Sequence, residues 1–304
     1  MSGSPLISIL LPVYNGEKTI VATLKSLLEQ TFTNFEILVG IDGSTDNSEL
    51  EIKKIVDTRI RLFVSKTNRG LGPNLNFLLY NASKGSKYIA MAEQDDIYVS
   101  DRLLWQIEFL DANPTCGMVS GIAEHFDGDN FTMSFPGLLL NGFQYPIRQE
   151  MFLLNFREQI KVVNTCMMFR KSVHEENGLY FSRHFYTLSC DWSYILRFSL
   201  VSEIKGLHKV LVRMERSKSR ASLTTQRKKQ SIVARELIRS FAFEYPHIIT
   251  SSHLRYAINT QRLVELSSFK WPKRLLFLCI FVLLNPFETR YYIYFKDKIW
   301  KRIF

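Results

Sequence analysis

Short apolar runs alternate with amphipathic stretches through the first hundred residues. Ile7 to Leu11 is mostly apolar and stops at Pro12, the pattern of a buried strand. Glu17 to Gln30 carries Ile20, Val21, Leu24, Leu27 and Leu28 at helical spacing. The same alternation predicts strands over Phe35–Ile41, Ile60–Val64 and Tyr88–Ala92, with helices over Asp46–Val56 and Pro73–Asn81. Three strand–helix units in a row imply an α/β fold, a Rossmann-like and mostly parallel sheet with helices on both faces. Beyond them the pattern predicts helices over Val99–Asp111, Asp191–Leu200 and Ser231–Ala242, and strands over Gly117–Ala123, Lys161–Phe169 and Lys209–Met214. Residues 125–146 read as a hairpin or mobile loop, and Ser217–Lys229 is polar and basic enough to be flexible.

The chemistry concentrates where the predicted strands end. Glu93-Gln94-Asp95-Asp96 follows the run Tyr88–Ala92, so three carboxylates sit at the C-terminal end of a buried strand, where open α/β sheets bind ligands. Such a cluster suits a hard cation, Mg²⁺ or Mn²⁺, held with substrate phosphates. An acidic loop capping the next helix is the alternative. The loop Pro12-Val13-Tyr14-Asn15-Gly16-Glu17 offers an aromatic and an amide that can stack on and hydrogen-bond a base, although Asn15 alone would serve a plain helix cap. In Ile41-Asp42-Gly43-Ser44-Thr45-Asp46, Asp42 can accept from a base N–H, while Thr45 or Asp46 caps the helix. Both loops and the tetrad fall on one edge of the predicted sheet.

Charge divides the chain. The formal net charge is +10, yet residues 205–304 hold 21 Lys+Arg against 6 Asp+Glu, and the other 204 residues hold 18 against 23. A mildly acidic globular part followed by a basic tail fits attachment to an anionic surface. No nucleic-acid-binding motif accompanies the charge, so nucleic acid is not an expected partner. Leu275–Leu284 is an unbroken apolar run of ten residues, about half of the roughly 20 needed to span a bilayer. Aromatic and cationic residues interleave after Phe287, which suits a headgroup region. Peripheral attachment to the cytoplasmic face of a membrane is expected; the alternative is a helix packing on the catalytic domain or on a homodimer partner. The start Met1-Ser2-Gly3-Ser4-Pro5 lacks the basic region of a signal peptide, so a cytoplasmic protein is expected. The four cysteines are far apart with no CxxC pair, which argues against a disulfide framework or a zinc site.

Pro12-Val13-Tyr14-Asn15, Asp42-Gly43-Ser44-Thr45-Asp46, Asn68-Arg69-Gly70 and the acidic tetrad followed by Asp101-Arg102-Leu103 resemble, in order and spacing, the family 2 glycosyltransferases. The resemblance covers roughly residues 5 to 225 and implies an inverting enzyme with an A-type nucleotide-diphosphosugar transferase fold. The catalytic domain would then occupy residues 1–225 and a helical, basic region residues 226–304. By resemblance Pro12, Tyr14 and Asp42, with Val13 and Asn15 in the same loop, would hold uracil or another base, and Asn74 would line that pocket. Glu93 and Asp95 match the outer positions of the family's Asp-x-Asp motif, with Gln94 between them. Asp95, with Glu93, would ligate Mn²⁺ or Mg²⁺, and Asp96 would face the sugar or acceptor. Asp191 would be the general base, in a Cys190-Asp191-Trp192 segment whose family pattern has Glu at the Cys190 position; an N-cap role for Asp191 is the alternative. Trp192 is either core or a platform for a sugar ring. Glu215 falls where many relatives carry a His, and Arg216, Lys218 and Arg220 would neutralise diphosphate or form a solvated basic loop. The implied function is transfer of a sugar from a nucleotide-diphosphate donor, most often a UDP-sugar, to a hydroxyl of a glycan or lipid-linked acceptor in bacterial surface-polysaccharide synthesis. The departures at Glu93, Cys190 and Glu215 leave one rival, a non-catalytic nucleotide-sugar-binding or scaffold protein.

Overall fold

The apolar runs form the centre of a sheet in the computed structural model, which describes residues 4–183, 189–216 and 227–300. Strand β1 (Ile7–Val13) pairs in parallel with β2 (Phe35–Asp42) on one side and β4 (Tyr88–Met91) on the other. β3 (Ile60–Ser65) adds in parallel to β2. Every residue of β2 and β4 is buried, as expected of parallel strands covered on both faces. Helices α1 (Ile20–Leu28), α2 (Ser48–Lys53) and α3 (Leu71–Tyr80) connect them. The predicted α/β half of the fold is present.

The other half of the sheet is mixed rather than mostly parallel. β5 (Asp96–Tyr98) is followed by α4 (Arg102–Ala112), β6 (Cys116–Asp127) and β7 (Asn130–Phe135), the last forming a hairpin with β6. A one-turn helix α5 (Gly137–Leu140) and α6 (Arg148–Glu158) lead to β8 (Met168–Arg170), which lies antiparallel to both β4 and β6. After α7 (Lys171–Glu176) and α8 (Cys190–Val201), β9 (Glu203–Glu215) runs parallel to β6 and antiparallel to β5. The order is β3-β2-β1-β4-β8-β6-β9-β5.

That order requires curvature. β4 and β5 lie four strand positions apart, roughly 19 Å in a flat sheet. Only four residues lie between Met91 and Asp96, and the five steps reach at most about 17 Å even fully extended. The sheet therefore curls, and the acidic tetrad bridges its open side.

One expected strand needs correction. Lys161–Phe169 is not one strand, because a 3₁₀ turn at Asn164–Cys166 precedes the short β8. Its apolar residues are buried all the same, which is why periodicity cannot separate the two. α6 and α7 were not foreseen. The segment expected to be flexible, Ser217–Lys229, falls mainly outside the described residues, and Arg227 opens α9 (Arg227–Glu244).

Residues 153–159 and 222–304 form a second compact unit. Besides α9 it contains α10 (Ser251–Ser268), α11 (Lys273–Leu284) and α12 (Thr289–Phe295). Thr250 caps α10, its hydroxyl accepting from the His253 N–H at 3.3 Å. Leu266, Leu278, Phe281 and Tyr291 form one apolar cluster within it. Among the described residues no helix is long and apolar enough to cross a membrane.

Glu36 pins β2 to its surroundings: its carboxylate accepts from Ser8 Oγ at 2.6 Å, Arg61 Nη1 at 2.6 Å and the Ser83 N–H at 2.7 Å. Burial alone would raise its pKa, but these donors outweigh it and hold the carboxyl below the usual glutamate range. A depressed carboxylate stabilises the fold above the unfolded pKa and loses that contribution as pH falls through the folded one. Glu36→Gln should therefore cost about 1–3 kcal/mol in urea unfolding at neutral pH, with the difference from wild type shrinking as the pH is lowered below about 4.5.

Candidate active site

Two loops at the C-terminal ends of β1 and β2 are stitched together by their own polar residues. Asn15 Oδ1 accepts from the Thr45 N–H at 2.8 Å, and the Asn15 N–H donates to Ser44 Oγ at 3.0 Å. The Glu17 N–H donates to Asp46 Oδ2 at 2.9 Å, while Glu17 Oε2 accepts from the Asn47 N–H at 3.1 Å. Asp46 also accepts from the Ser48 N–H, capping α2 as its sequence position implies. Asn15 reaches this arrangement at φ 50°, a left-handed conformation that Asn tolerates. Gly43 is constrained twice: its φ is +69°, and a Cβ there would meet the Asn68 backbone nitrogen at 2.4 Å.

The tetrad is anchored through its backbone, which leaves its carboxylates to converge. Thr23 Oγ1, on the buried face of α1, lies 2.9 Å from both the Gln94 and Asp96 carbonyl oxygens. The Glu93 N–H donates to Tyr98 Oη at 2.7 Å, and Tyr98 Oη is 2.6 Å from Thr165 Oγ1. Arg102, fully buried, stacks on the Tyr98 ring at 4.5 Å and donates to the Met91 carbonyl at 2.7 Å. Gln94 joins the tetrad to the first loop: its Oε1 accepts from the Tyr14 N–H at 2.7 Å and its Nε2 donates to the Tyr14 carbonyl at 2.9 Å. A Cβ on Gly16 would approach Gln94 Oε1 to 2.7 Å, so a side chain there displaces this tether.

Ligand oxygens of Glu93, Asp95 and Asp96 all lie within 4.8 Å of one another. An all-carboxylate donor set of that spread fits a hard divalent cation with metal–oxygen bonds of roughly 2.0–2.6 Å. Glu93 Oε1 also accepts from Asn164 Nδ2 at 2.6 Å. Burial, then the charges of Asp96 and Asp95, push the Glu93 carboxyl up to about 8, against the pull of the Arg216 guanidinium; the charge of Asp191 adds to the push. Arg216 Nη1 stands 4.0 Å from Asp96 Oδ1. Asp191, in the first turn of α8, accepts from the Trp192 N–H at 2.9 Å, and burial outweighs that bond to raise its pKa.

A family model described as glycosyl transferase family 2 matches residues 8–178, more than half of the chain. The chain belongs to glycosyl transferase family 2. WfgD of Escherichia coli, a UDP-Glc:alpha-D-GlcNAc-diphosphoundecaprenol beta-1,3-glucosyltransferase, is 37% identical over 105 residues, 34% of this chain and 41% of WfgD. WfaP of the same organism, with the same printed activity, is 38% identical over 106 residues, again 41% of its length. This chain thus matches about two fifths of each. S. aureus TarS 1–349 shares the fold at a TM-score of 0.64 and 20% identity, over 84% of this chain and 71% of that 1–349 chain. The mannosyltransferase PcManGT of Pyrobaculum calidifontis, solved with GDP-Man and Mn²⁺, covers 96% of this chain and 83% of its own at a TM-score of 0.56 and 16% identity.

Against the family's pattern, several expected roles move. Asp96 is fully buried, and its carboxylate is part of the three-acid cluster. The Gln94 amide is committed to Tyr14, so it positions the loop. Asn74 is 1% exposed and donates to the Gly40 carbonyl at 2.8 Å, supporting β2 from α3 rather than lining an open pocket. Trp192 is 6% exposed, which makes it core. Val13 is buried too, and the Asn15 side chain is held by Thr45. Tyr14, 49% exposed, presents its ring to solvent beside Pro12. Asp42 is buried and accepts from the Arg69 and Gly70 N–H groups at 3.0 and 2.8 Å. Glu215 turns away from the acids, accepting from the Gly128 N–H at 3.2 Å; Arg216 is the residue directed at them, and Lys218 and Arg220 lie outside the described residues. Cys190 is fully buried, its thiol pushed up by burial. Thr23, Tyr98 and Asn164 carry no sequence signal that marks them as parts of the site, whereas Arg102 belongs to the Asp101-Arg102-Leu103 segment of the family resemblance.

A carboxyl raised in the folded state contributes stability that is complete below its unfolded pKa and is lost as pH rises through the folded value. The melting temperature of metal-free protein should therefore fall by roughly 3–8 °C between about pH 5 and pH 9 as Glu93 ionises. Glu93→Gln should flatten this decline, and Mn²⁺ should reverse it in wild type but much less in the variant. Differential scanning fluorimetry across pH measures both.

Proposed function

We propose that the chain is a metal-dependent inverting glycosyltransferase, using a UDP-sugar to extend a lipid-linked glycan acceptor at the cell envelope. The observation that carries this reading is the convergence of Glu93, Asp95 and Asp96 beside the exposed Tyr14, joined to it by Gln94. Support for donor and acceptor class comes from WfgD and WfaP, whose printed activities use UDP-Glc and a diphosphoundecaprenol-linked sugar. PcManGT supports Mn²⁺ in the same fold, and Mn²⁺ is preferred here over Mg²⁺ on that ground. The basic helical unit supports peripheral attachment to the inner face of the membrane, where such an acceptor is presented.

Tyr14 stacks on the base, and Asp42 orders the adjoining Arg69-Gly70 turn. Asp95, Glu93 and Asp96 would hold the cation, whose chemistry is to offset charge on the diphosphate leaving group. Arg216 adds a fixed positive charge on the same side. Asp191 takes the proton of the acceptor hydroxyl as its oxygen attacks the anomeric carbon. The bond from that carbon to the phosphate oxygen breaks on the opposite face, the electron pair leaves with the diphosphate, and the configuration inverts. Burial suits Asp191 to the task, since a raised pKa makes it a stronger base.

Asp191→Asn should lower kcat by about 10²–10⁴-fold while donor binding persists, and should remove the acid limb of the kcat/KM profile. That limb should lie above the ordinary Asp range. Asp95→Ala should abolish metal-dependent donor binding. Turnover and calorimetry over UDP-, GDP- and dTDP-sugars, with Mn²⁺, Mg²⁺ or EDTA, test both; an inert protein that binds donor irrespective of Asp191 would instead be the scaffold.

A further inference from the structure

The second unit contains an open cavity of about 450 Å³ that shares no residue with the acidic cluster. One face of α10 lines it over three turns with Leu254, Arg255, Ile258, Asn259 and Arg262, and Leu284 closes it from the end of α11. No acidic side chain lines it. Glu288, which contacts the lining residue Asn259, is occupied: Arg290 donates to its two oxygens at 2.6 and 2.7 Å, and Asn259 Nδ2 donates at 2.9 Å. The other end of Asn259, 1% exposed, accepts from Arg262 Nη1 at 3.1 Å, and the Arg262 guanidinium lies 5.4 Å from the Phe281 ring. Arg262 is thus held in place by a buried side chain. Arg255 is exposed and makes no hydrogen bond or ion pair among the described residues. Two guanidiniums with apolar flanks and no counter-charge in the lining form a cavity for an anion that carries a chain.

The helix that closes the cavity leaves one side uncovered. Leu278 and Phe281 of α11 are buried, whereas Leu276, Ile280 and Leu283 are 60%, 38% and 81% exposed. Leu284, itself 63% exposed, belongs both to the cavity wall and to this stripe, which Phe287 at 92% continues. Lys270 and Lys273, both exposed, stand at the other end. An apolar stripe of this length with cations around it matches a helix lying in a bilayer interface. The excess of 21 Lys+Arg over 6 Asp+Glu in residues 205–304 selects a surface of negative charge.

We infer that the cavity receives the phosphate headgroup of an anionic membrane lipid, with Arg255 and Arg262 as its ligands and the α11 stripe set into the adjoining acyl region. This rests on the proposed membrane attachment and names its recognition site. Arg262 and Arg255 contact the phosphate oxygens by charge-assisted hydrogen bonds. Leu254, Ile258 and Leu284 meet the first carbons beyond it. A soluble phosphate would use the arginines and leave the stripe without purpose, which is why the lipid is the assigned occupant.

Flotation of the full chain with phosphatidylcholine vesicles, with and without phosphatidylglycerol, tests this. Binding should require phosphatidylglycerol, and Arg255→Gln should weaken it about fivefold to tenfold. Arg239→Gln, which removes the same charge from an exposed position of α9, should weaken it less than twofold. Leu283→Ser should also release the protein from vesicles, and excess inorganic phosphate should compete only weakly. Unchanged melting temperatures of the variants establish that they fold. Equal losses in Arg255→Gln and Arg239→Gln would overturn the cavity while leaving general electrostatic attachment standing. Tight binding of inorganic phosphate without vesicle binding would overturn the lipid assignment. No flotation with any vesicle would overturn the attachment itself, with the glycosyltransferase assignment unaffected.

Discussion

Three carboxylates packed within four residues repel one another, and the site depends on containing that repulsion. Two unit charges 4 Å apart interact by about 4 kcal/mol at an effective dielectric near 20, so an empty, fully ionised cluster is strongly unfavourable. The protein meets this with anchors that hold the backbone instead of neutralising the acids. Thr23 binds two tetrad carbonyls, Tyr98 accepts the Glu93 N–H, and buried Arg102 supports Tyr98 from below. Asn164 and Arg216 supply partial compensation from the side. The remaining strain appears as a Glu93 carboxyl that holds its proton up to about 8. A divalent cation bound there would relieve it, which ties local instability to the proposed ligand.

The sheet's curl makes this geometry available. β4 delivers the tetrad at a strand end, and β5 carries Asp96 into pairing with Met214 of β9. Arg216 lies two residues beyond Met214 and so shares its face, while Glu215 points the other way. A shift of one residue in that register would exchange the two and bring a fourth carboxylate to the cluster. Gln94 then links the same tetrad to the loop of Tyr14, so that the proposed metal ligands and the proposed base-stacking ring are positioned by one amide.

The parallel half of the fold was legible because its strands are continuous apolar runs ended by Pro, Gly or Asp. The tetrad was legible because three acids after a buried strand have few structural uses. β5 was not, since three residues that begin with Asp carry no periodicity. Asn164 and Thr165 were concealed inside an apolar stretch that reads as a strand and folds as a turn. The Gln94 amide and the Asn74 Nδ2 are bonded to backbone groups, an arrangement that depends on tertiary contacts and leaves no mark in the sequence. The same applies to Glu215 and Arg216, where strand register decides and composition does not. In α11 the apolar run was plain, but its division into a buried and an exposed side emerges only from packing.

The central claim is that the Glu93-Asp95-Asp96 cluster holds the cation that accompanies the donor nucleotide. Anomalous diffraction at the manganese edge, from crystals grown with UDP and Mn²⁺, tests it most directly. The account predicts one peak bonded to carboxylate oxygens of this cluster and to the diphosphate, with the uracil against Tyr14. Nucleotide bound with no manganese at these three residues would contradict it.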